Sequence, residues 1–428
     1  MFSQADNELL TRVGPGTAMG NLLRRFWMPA LIESELAAPD GPPVRLRLLG
    51  EDLVAFRDTR GRIGILEAAC AHRRVSLYFG RNEECGLRCA YHGWKYDVDG
   101  NCVDIPSEPD GGTALKPMAK RVSYPTAVRG GAVWVYMGPK EFAAAPPDFE
   151  WSLLPERQRT VTKRLQECNW AQAVEGGIDS AHVSFLHQRV TLAPLPVPRN
   201  PLIVADRQPI FEVKESRFGL LVAARRDAGP ASYYWRITPF LLPFFQMIPP
   251  VVEAPDTHDC AYSGHAWVPI DDENIWNWSF AANPHRAFTD AERAFHESAD
   301  SQWGPIDGNY LPLRNRRNDY GLDRAAQKQG LFPGVEGLAN QDAAVQESMG
   351  AIVDRSRELL GTSDRPIVLF RRLMLRLAAA LAAGTEPEPA RHGDWYNVRS
   401  ASVVLDRKIP FEEGAAWLLE GAVRQAAE

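Results

Sequence analysis

Ligating side chains are scarce in this chain: 6 of its 428 residues are cysteine and 9 are histidine. Four of the cysteines, Cys85, Cys102, Cys168 and Cys260, have no ligand partner nearby in sequence and read as free, buried thiols of a reducing compartment. There is no dense basic run, and the formal net charge of -6 argues against nucleic acid as a general partner. The opening residues, Met1 to Glu8, lack both a basic flank and an apolar core, so no signal peptide is expected and the cytoplasm is the expected location. A long apolar run is also missing. The most apolar late stretch, Pro366 to Gly384, is interrupted by Arg371, Arg372 and Arg376, which predicts an amphipathic surface or interface helix and no membrane partner. The length suggests two or three domains, each able to bury a core.

What is present is concentrated. Cys70-Ala71-His72 is followed, after sixteen residues, by Cys89-Ala90-Tyr91-His92. Two short loops, each offering one Cys and one His, make a four-ligand set for iron or zinc. A Rieske [2Fe-2S] cluster takes this set, two Cys on one iron and two His on the other. A structural Cys2His2 zinc site is the alternative.

Around these loops the pattern is one of short alternating strands, at 44–49, 53–57, 63–67 and 131–137, separated by turn signals such as Asp58-Thr59-Arg60-Gly61. They predict a compact β domain with a helical lead, spanning 1–150, and 142–147 reads as a linker. Gly14-Pro15-Gly16-Thr17-Ala18-Met19-Gly20 has G-x-G-x3-G spacing and follows no strand, so it reads as a turn and not as a dinucleotide site. Electrons from NAD(P)H must then arrive through another protein.

A second cluster of donors lies in Asn169 to His187, largely helical by periodicity. Gln172, Glu175, Asp179 and His182 fall on one helical face. His182 and His187 are five apart, about 140° on an ideal helix. Both reach one metal only if the helix bulges or ends between them. Two His and a carboxylate form the facial triad of non-haem Fe(II) oxygenases, with positions left open for O2 and substrate nearby. The carboxylate need not be local. Downstream, β-rich aromatic segments at 233–247, 260–268 and 274–280 look like one large antiparallel sheet, 282–335 is polar and loop-like, a lid or subunit contact, and Asn340 onward opens a helix with an apolar face of Val345, Met349, Ile352 and Val353.

Cys-Ala-His-Arg-Arg-Val-Ser-Leu (70–77), Cys-Ala-Tyr-His-Gly-Trp-Lys-Tyr (89–96), Asn-Trp-x-Gln-x-x-Glu and Asp-x2-His-x4-His resemble, in the same order, the two motifs of Rieske-type non-haem iron aromatic ring-hydroxylating oxygenases, terminal oxygenase (alpha) subunit, phthalate dioxygenase-like branch. The resemblance spans nearly the whole chain. It implies an α+β protein: an all-β Rieske domain, then a catalytic domain over 151–428 with a large antiparallel sheet flanked by helices (helix-grip, START-like). It implies a [2Fe-2S] cluster on Cys70, His72, Cys89 and His92, and Fe(II) on His182, His187 and Asp342, with Glu347 and Asp354 as rivals for the carboxylate. Asn169, Gln172 and Glu175 are expected in a layer behind these ligands, and Asp179 as the electron path, accepting from His92 of a neighbouring copy in a homotrimer. Implied partners are a reductase with flavin and a ferredoxin-type [2Fe-2S] centre, O2 and a small aromatic substrate, which is hydroxylated, cis-dihydroxylated or oxidatively demethylated. A carboxylated substrate needs an Arg near the iron, with Arg207, Arg225, Arg226 and Arg236 as candidates by location. A Rieske electron-transfer protein and a zinc-stapled non-enzymatic binding protein remain the alternatives.

Anaerobic purification with metal analysis separates these readings. About three irons per chain and, after dithionite, a rhombic EPR signal of low average g are expected; one zinc and no signal would overturn both the cluster and the enzyme.

Overall fold

The computed structural model describes residues 2–193, 199–251, 260–297 and 303–421. Alternation produces strands where it was expected. Strands β1 (Trp27–Ile32), β2 (Val44–Leu48), β3 (Glu51–Arg57), β4 (Ile63–Glu67), β5 (Arg81–Glu83), β6 (Gly86–Arg88), β7 (Lys95–Tyr96), β8 (Cys102–Asp104), β9 (Ser123–Tyr124), β10 (Thr126–Arg129) and β11 (Ala132–Tyr136) make three small antiparallel sheets, ordered β1-β11-β10, β2-β3-β4-β9 and β5-β6-β7-β8. A separate apolar cluster of Val54, Leu66, Leu77, Leu87 and Tyr96 encloses Cys70 and Cys89.

The second half is built on one eight-stranded antiparallel sheet. Strands β12 (Arg159–Gln166), β13 (Ile210–Ser216), β14 (Gly219–Asp227), β15 (Ser232–Leu241), β16 (Phe245–Ile248), β17 (Tyr262–Pro269) and β18 (Ile275–Ala282) run in the order β12-β18-β17-β16-β15-β14-β13, and β19 (Ala401–Asp406) pairs with β15. Side chains alternate along a strand, so register decides which residues share a face. The pairs Phe240↔Gln246, Gln246↔His265, His265↔Ser279 and Trp267↔Asn277 place Arg236, Gln246, His265, Trp267 and Asn277 on one face. Helices cover that face and the flanks. They are α1 (Gln4–Thr11), α2 (Ala18–Leu23), α3 (Trp170–Ile178), α4 (Asp290–Glu297), α5 (Leu338–Ser348) and α6 (Arg365–Ala382). None is long and apolar enough to cross a membrane among the described residues.

Three expectations are corrected. The N-terminal lead packs on the second half: Asn7 donates to the Val353 carbonyl, Arg355 to Asn7, and the Trp170 indole to the Leu10 carbonyl. α3 ends at Ile178, and Asp179 is already extended, so Asp179 and His182 do not continue the face of Gln172 and Glu175. In α5 the apolar Val345, and Met349 at its C-cap, are exposed while Gln341, Gln346 and Glu347 are buried, because that helix turns its polar side to α3 and the cavity. The polar 282–335 stretch contains α4, and its residues 298–302 lie outside the described residues.

A buried carboxylate that ties the second half together is Glu175 on α3. Arg355 and Arg371 each grip it with two bonds of 2.8–3.2 Å. Burial alone would raise its pKa; the two guanidiniums outweigh this and hold it below the usual carboxylate range. Glu175→Gln leaves buried Arg355 without a carboxylate partner and Arg371 with Glu358 alone, and is expected to cost about 3–5 kcal/mol in urea unfolding at pH 7. Since the folded pKa is depressed, the Glu175 contribution is full above the ordinary carboxylate pKa and is lost as pH falls through the folded value. The gap between wild type and variant should therefore narrow on acidification; a gap that does not change with pH would contradict this account.

Candidate metal centres and active site

The two Cys loops are the same turn made twice. Cys70 N–H donates to Val75 O and Arg74 N–H to Cys70 O; Cys89 N–H donates to Trp94 O and Gly93 N–H to Cys89 O. The fourth residue after each Cys must take a left-handed φ, +62° at Arg74 and +77° at Gly93, which glycine adopts freely and arginine only at a cost. The thiols are buried, His72 is exposed and His92 half-buried. The imidazole rings lie 4.4 Å apart, and Trp94 stacks on His72. The Tyr96 hydroxyl accepts from Ala71 N–H at 3.1 Å, so its own proton is free to point at Cys70 Sγ, 3.2 Å away. A tetrahedral zinc would draw all four ligand atoms within about 3.3–3.8 Å of one another. Among the described residues, however, the set of three donors within 4.8 Å is found elsewhere, at His182, His187 and Asp342. The facing His72 and His92 rings fit the two-His side of a two-iron cluster.

The second site is assembled by chain breaks. Asp179 leaves α3 extended and accepts from Ala181 N–H at 2.7 Å, turning the chain into a short 3-10 segment, His182–Ser184. Gly176 and Gly177 allow this close packing: a Cβ on Gly177 would stand 2.1 Å from both Trp267 and Gln246. His182 Nδ1 lies 3.4 Å from Asp179 Oδ2, and its Nε2 3.9 Å from Asp342 Oδ1. His187 Nε2 lies 3.1 Å from the same oxygen. Its Nδ1 is 2.8 Å from Gln341 Oε1, and Gln341 Nε2 donates to the carbonyls of Arg189 and Val335. That fixes the amide, makes Nδ1 the proton-bearing nitrogen and leaves Nε2 as a lone pair. Burial pushes Asp179 and Asp342 up; the facing imidazoles outweigh it and hold both below the usual carboxylate range. Two imidazole nitrogens and one carboxylate oxygen, with cis ligands expected about 3 Å apart, fit a facially held iron.

The chain in fact matches two family descriptions, "Rieske [2Fe-2S] domain" over residues 26–121 and "LigXa C-terminal domain like" over residues 135–392. It is 41% identical over 398 residues to the phthalate 4,5-dioxygenase oxygenase subunit of Pseudomonas putida, covering 90% of this chain and 88% of the relative. The chain belongs to the Rieske-type non-haem iron oxygenases. Its similarity to the 3-chlorobenzoate-3,4-dioxygenase oxygenase subunit of Comamonas testosteroni is 38% over 98% of this chain and 99% of the relative. The solved structure of the Pseudomonas putida CBB5 NdmA QL mutant with theobromine matches with TM-score 0.61 at 18% identity, over 88% of this chain and 96% of that one, and shares the fold. As a Rieske oxygenase subunit the chain takes electrons from a reductase or ferredoxin partner, and its cofactors are a Rieske [2Fe-2S] cluster and a mononuclear iron. The second half excludes the electron-transfer alternative, and the cluster excludes the zinc one.

Beside the triad is a cavity of about 460 Å³, walled by the sheet face, by Phe295 and His296 of α4, and by Trp303. The layer expected behind the ligands is corrected. Asn169 bonds Thr11 and Asp272 carbonyls, Gln172 bonds Gln346 and Gly350 carbonyls, and Glu175 the two arginines. These side chains tie helices together, while Gln341, adjacent to Asp342 in sequence, orients a ligand. Glu347 accepts from Tyr320 and Glu167 N–H, and Asp354 from Ser356, which takes both rivals out of the triad. His182→Ala is expected to empty the mononuclear site without bleaching the cluster, and Gln341→Met to weaken iron retention about 10- to 100-fold; iron content against chelator with visible absorption checks both, and a folded His182→Ala protein without the cluster spectrum would contradict two independent sites.

Proposed function

We propose that this oxygenase acts on an aromatic carboxylate and holds it by Arg199 and Arg236. Both line the cavity, and neither has a carboxylate within ion-pair distance among the described residues. Arg236, 5% exposed, donates only to the carbonyls of Pro249 and Pro250 and to the Tyr234 hydroxyl. Arg199 donates to the His187 carbonyl at 2.5 Å. Burial and the neighbouring Arg236 push Arg199 down to about 10, still protonated at neutral pH. Two adjacent cations short of countercharge beside the metal are the observation that carries the reading, since a bound carboxylate relieves both burial and repulsion. The substrates named for the two relatives, phthalate and 3-chlorobenzoate, are aromatic carboxylates.

Of the four arginines expected by location, only Arg236 lines this cavity. Arg207 is exposed and stacks over Phe185; Arg225 stacks on Tyr233 outside; Arg226 donates to the Ser180 carbonyl at 2.6 Å and so braces the turn between Asp179 and His182. Sequence reasoning missed Arg199, which belongs to no periodic pattern.

In this reading Cys70, His72, Cys89 and His92 hold the cluster, and His182, His187 and Asp342 hold the iron. Bound there, iron supplies O2 activation with electrons relayed one at a time from the cluster. The chain's residues do the rest. Gln341 and Asp179 set the imidazole orientations, the arginines fix the ring by its carboxylate, and the apolar walls limit water. The partly exposed Asp179 and the surface position of His92 support a path between copies of a homotrimer. Hydroxylation, cis-dihydroxylation and demethylation all remain within this assignment.

Arg236→Gln and Arg199→Gln are each expected to raise the KM for phthalate or benzoate about 100-fold with the cluster spectrum unchanged. A methyl ester that binds as tightly as its acid would sink the carboxylate anchor.

A further inference from the structure

Three buried arginines of the second half have carboxylate partners: Arg355 and Arg371 share Glu175, and Arg399 holds Glu150. Arg226 on β14 is buried as completely and has none within ion-pair distance among the described residues. Both of its hydrogen bonds go to one residue. Nη2 donates to the Ser180 carbonyl at 2.6 Å and Nη1 lies 3.3 Å from Ser180 Oγ, while Nε has no partner. Burial and the neighbouring Arg236 push the guanidinium down to about 10, so it is still a cation at neutral pH. It does not line the cavity, and a bound carboxylate is therefore no answer to its charge. A buried cation without countercharge is costly, and this one is spent on a single turn.

What the charge holds is one peptide unit. The carbonyl that Arg226 grips and the Ala181 N–H that donates to Asp179 Oδ1 at 2.7 Å are the two ends of the planar Ser180–Ala181 peptide. The unit is thus fixed from both sides, by a cation at its oxygen and a carboxylate at its nitrogen. A cation at the oxygen also polarises the amide and strengthens its N–H as a donor. With Oδ1 held in this way, the other oxygen of Asp179 is turned to His182, Oδ2 lying 3.4 Å from Nδ1. A proton on Nδ1 leaves Nε2, the nitrogen on the Asp342 side, as the lone pair.

Resting on the reading of Asp179 as the residue that orients His182, we propose that Arg226 is a positioning residue of the iron site: through the Ser180–Ala181 peptide it fixes the Asp179 carboxylate, and through that carboxylate the His182 imidazole. Its role is distinct from that of Arg236, which lies on the same face of the sheet and lines the cavity. Arg226 acts on the metal through two intervening groups.

The test uses iron-loaded holoenzyme whose cluster spectrum is intact. Arg226→Met replaces a buried cation by an apolar side chain and is expected to fold; Arg226→Lys keeps a cation at the position. In Arg226→Met, iron loss to a chelator should run on the order of tenfold faster than in wild type. The EPR signal of the ferrous site with nitric oxide, recorded with the cluster oxidised and silent, should shift and broaden, and Arg226→Lys should restore both in large part. Benzoate affinity, by anaerobic calorimetry, should stay within about twofold of wild type. In an Asp179→Ala background, Arg226→Met should change the nitric oxide signal no further, because its effect passes through Asp179. A merely structural arginine would lower the urea midpoint and add its effect to that of Asp179→Ala. The assignment is overturned by a folded Arg226→Met protein with wild-type signal and iron retention, by additive changes in the double variant, or by a loss of benzoate binding that would make Arg226 part of the anchor. A wild-type signal in Asp179→Ala would remove the underlying reading and this route with it, whereas a shifted signal there beside a wild-type signal in Arg226→Met would sink the role of Arg226 alone.

Discussion

Convergence of the iron ligands depends on a helix that stops one residue before Asp179. Two histidines five apart point about 140° away from each other on a continuous helix, so the fold must abandon helical geometry between α3 and His187 and then hold the irregular turn still. It does so from both sides. Asn169 caps the start of α3, and Glu175 is clamped by Arg355 and Arg371 at its middle. Beyond the break, Asp179 accepts from Ala181 N–H and Arg226 grips the Ser180 carbonyl. The diglycine before the break lets the last turn lie against Trp267 and Gln346, where any Cβ would collide. Backbone groups that lose their helical partners here are thereby met by side chains, which is what an irregular buried turn requires.

Much of this was legible because it is written in spacing. The Cys and His loops announce themselves by ligand type, and the strands of the first half by alternation, since both signals are local. The second layer was not legible in the same way. Periodicity places Gln172 and Glu175 on one face of a helix, but it cannot say what covers that face; the cover comes from residues 346–355 and from Arg371, far along the chain. Polar residues beside a metal motif were thus read as serving the metal, when two buried cations and several carbonyls claimed them. Gln341 carried a usable signal, its adjacency to Asp342 in a helix whose polar side is buried.

Register shows what a finer reading of the arginines would have required. Arg225 and Arg226 are consecutive on β14 and must face opposite ways. The pairing of Ala224 with Arg236 puts Arg226 on the same face as Arg236 and leaves Arg225 outside, beside Tyr233. Alternation alone separates Arg225 from the other two, once the strand partners are known. Arg199 offers no such handle, as it lies outside any strand or helix of the described residues.

The distribution of charge around the cavity gives these placements a common cause. A divalent iron faced by the Asp342 and Asp179 carboxylates carries little net charge, so the metal end offers an anion no strong attraction of its own. In the proposed reading, holding an anionic ring falls to Arg199 and Arg236, and burial and the neighbouring Arg236 already disfavour the Arg199 cation. That cost falls on the unliganded form, and a carboxylate bound there would offset it. Meanwhile Gln246, His265 and Asn277 on β16, β17 and β18 line the cavity with uncharged side chains, which do not compete for a carboxylate. In the proposed reading, a neutral metal end and a cationic end together give a singly anchored ring a polarity, with its carboxylate at the arginines and its body toward the metal.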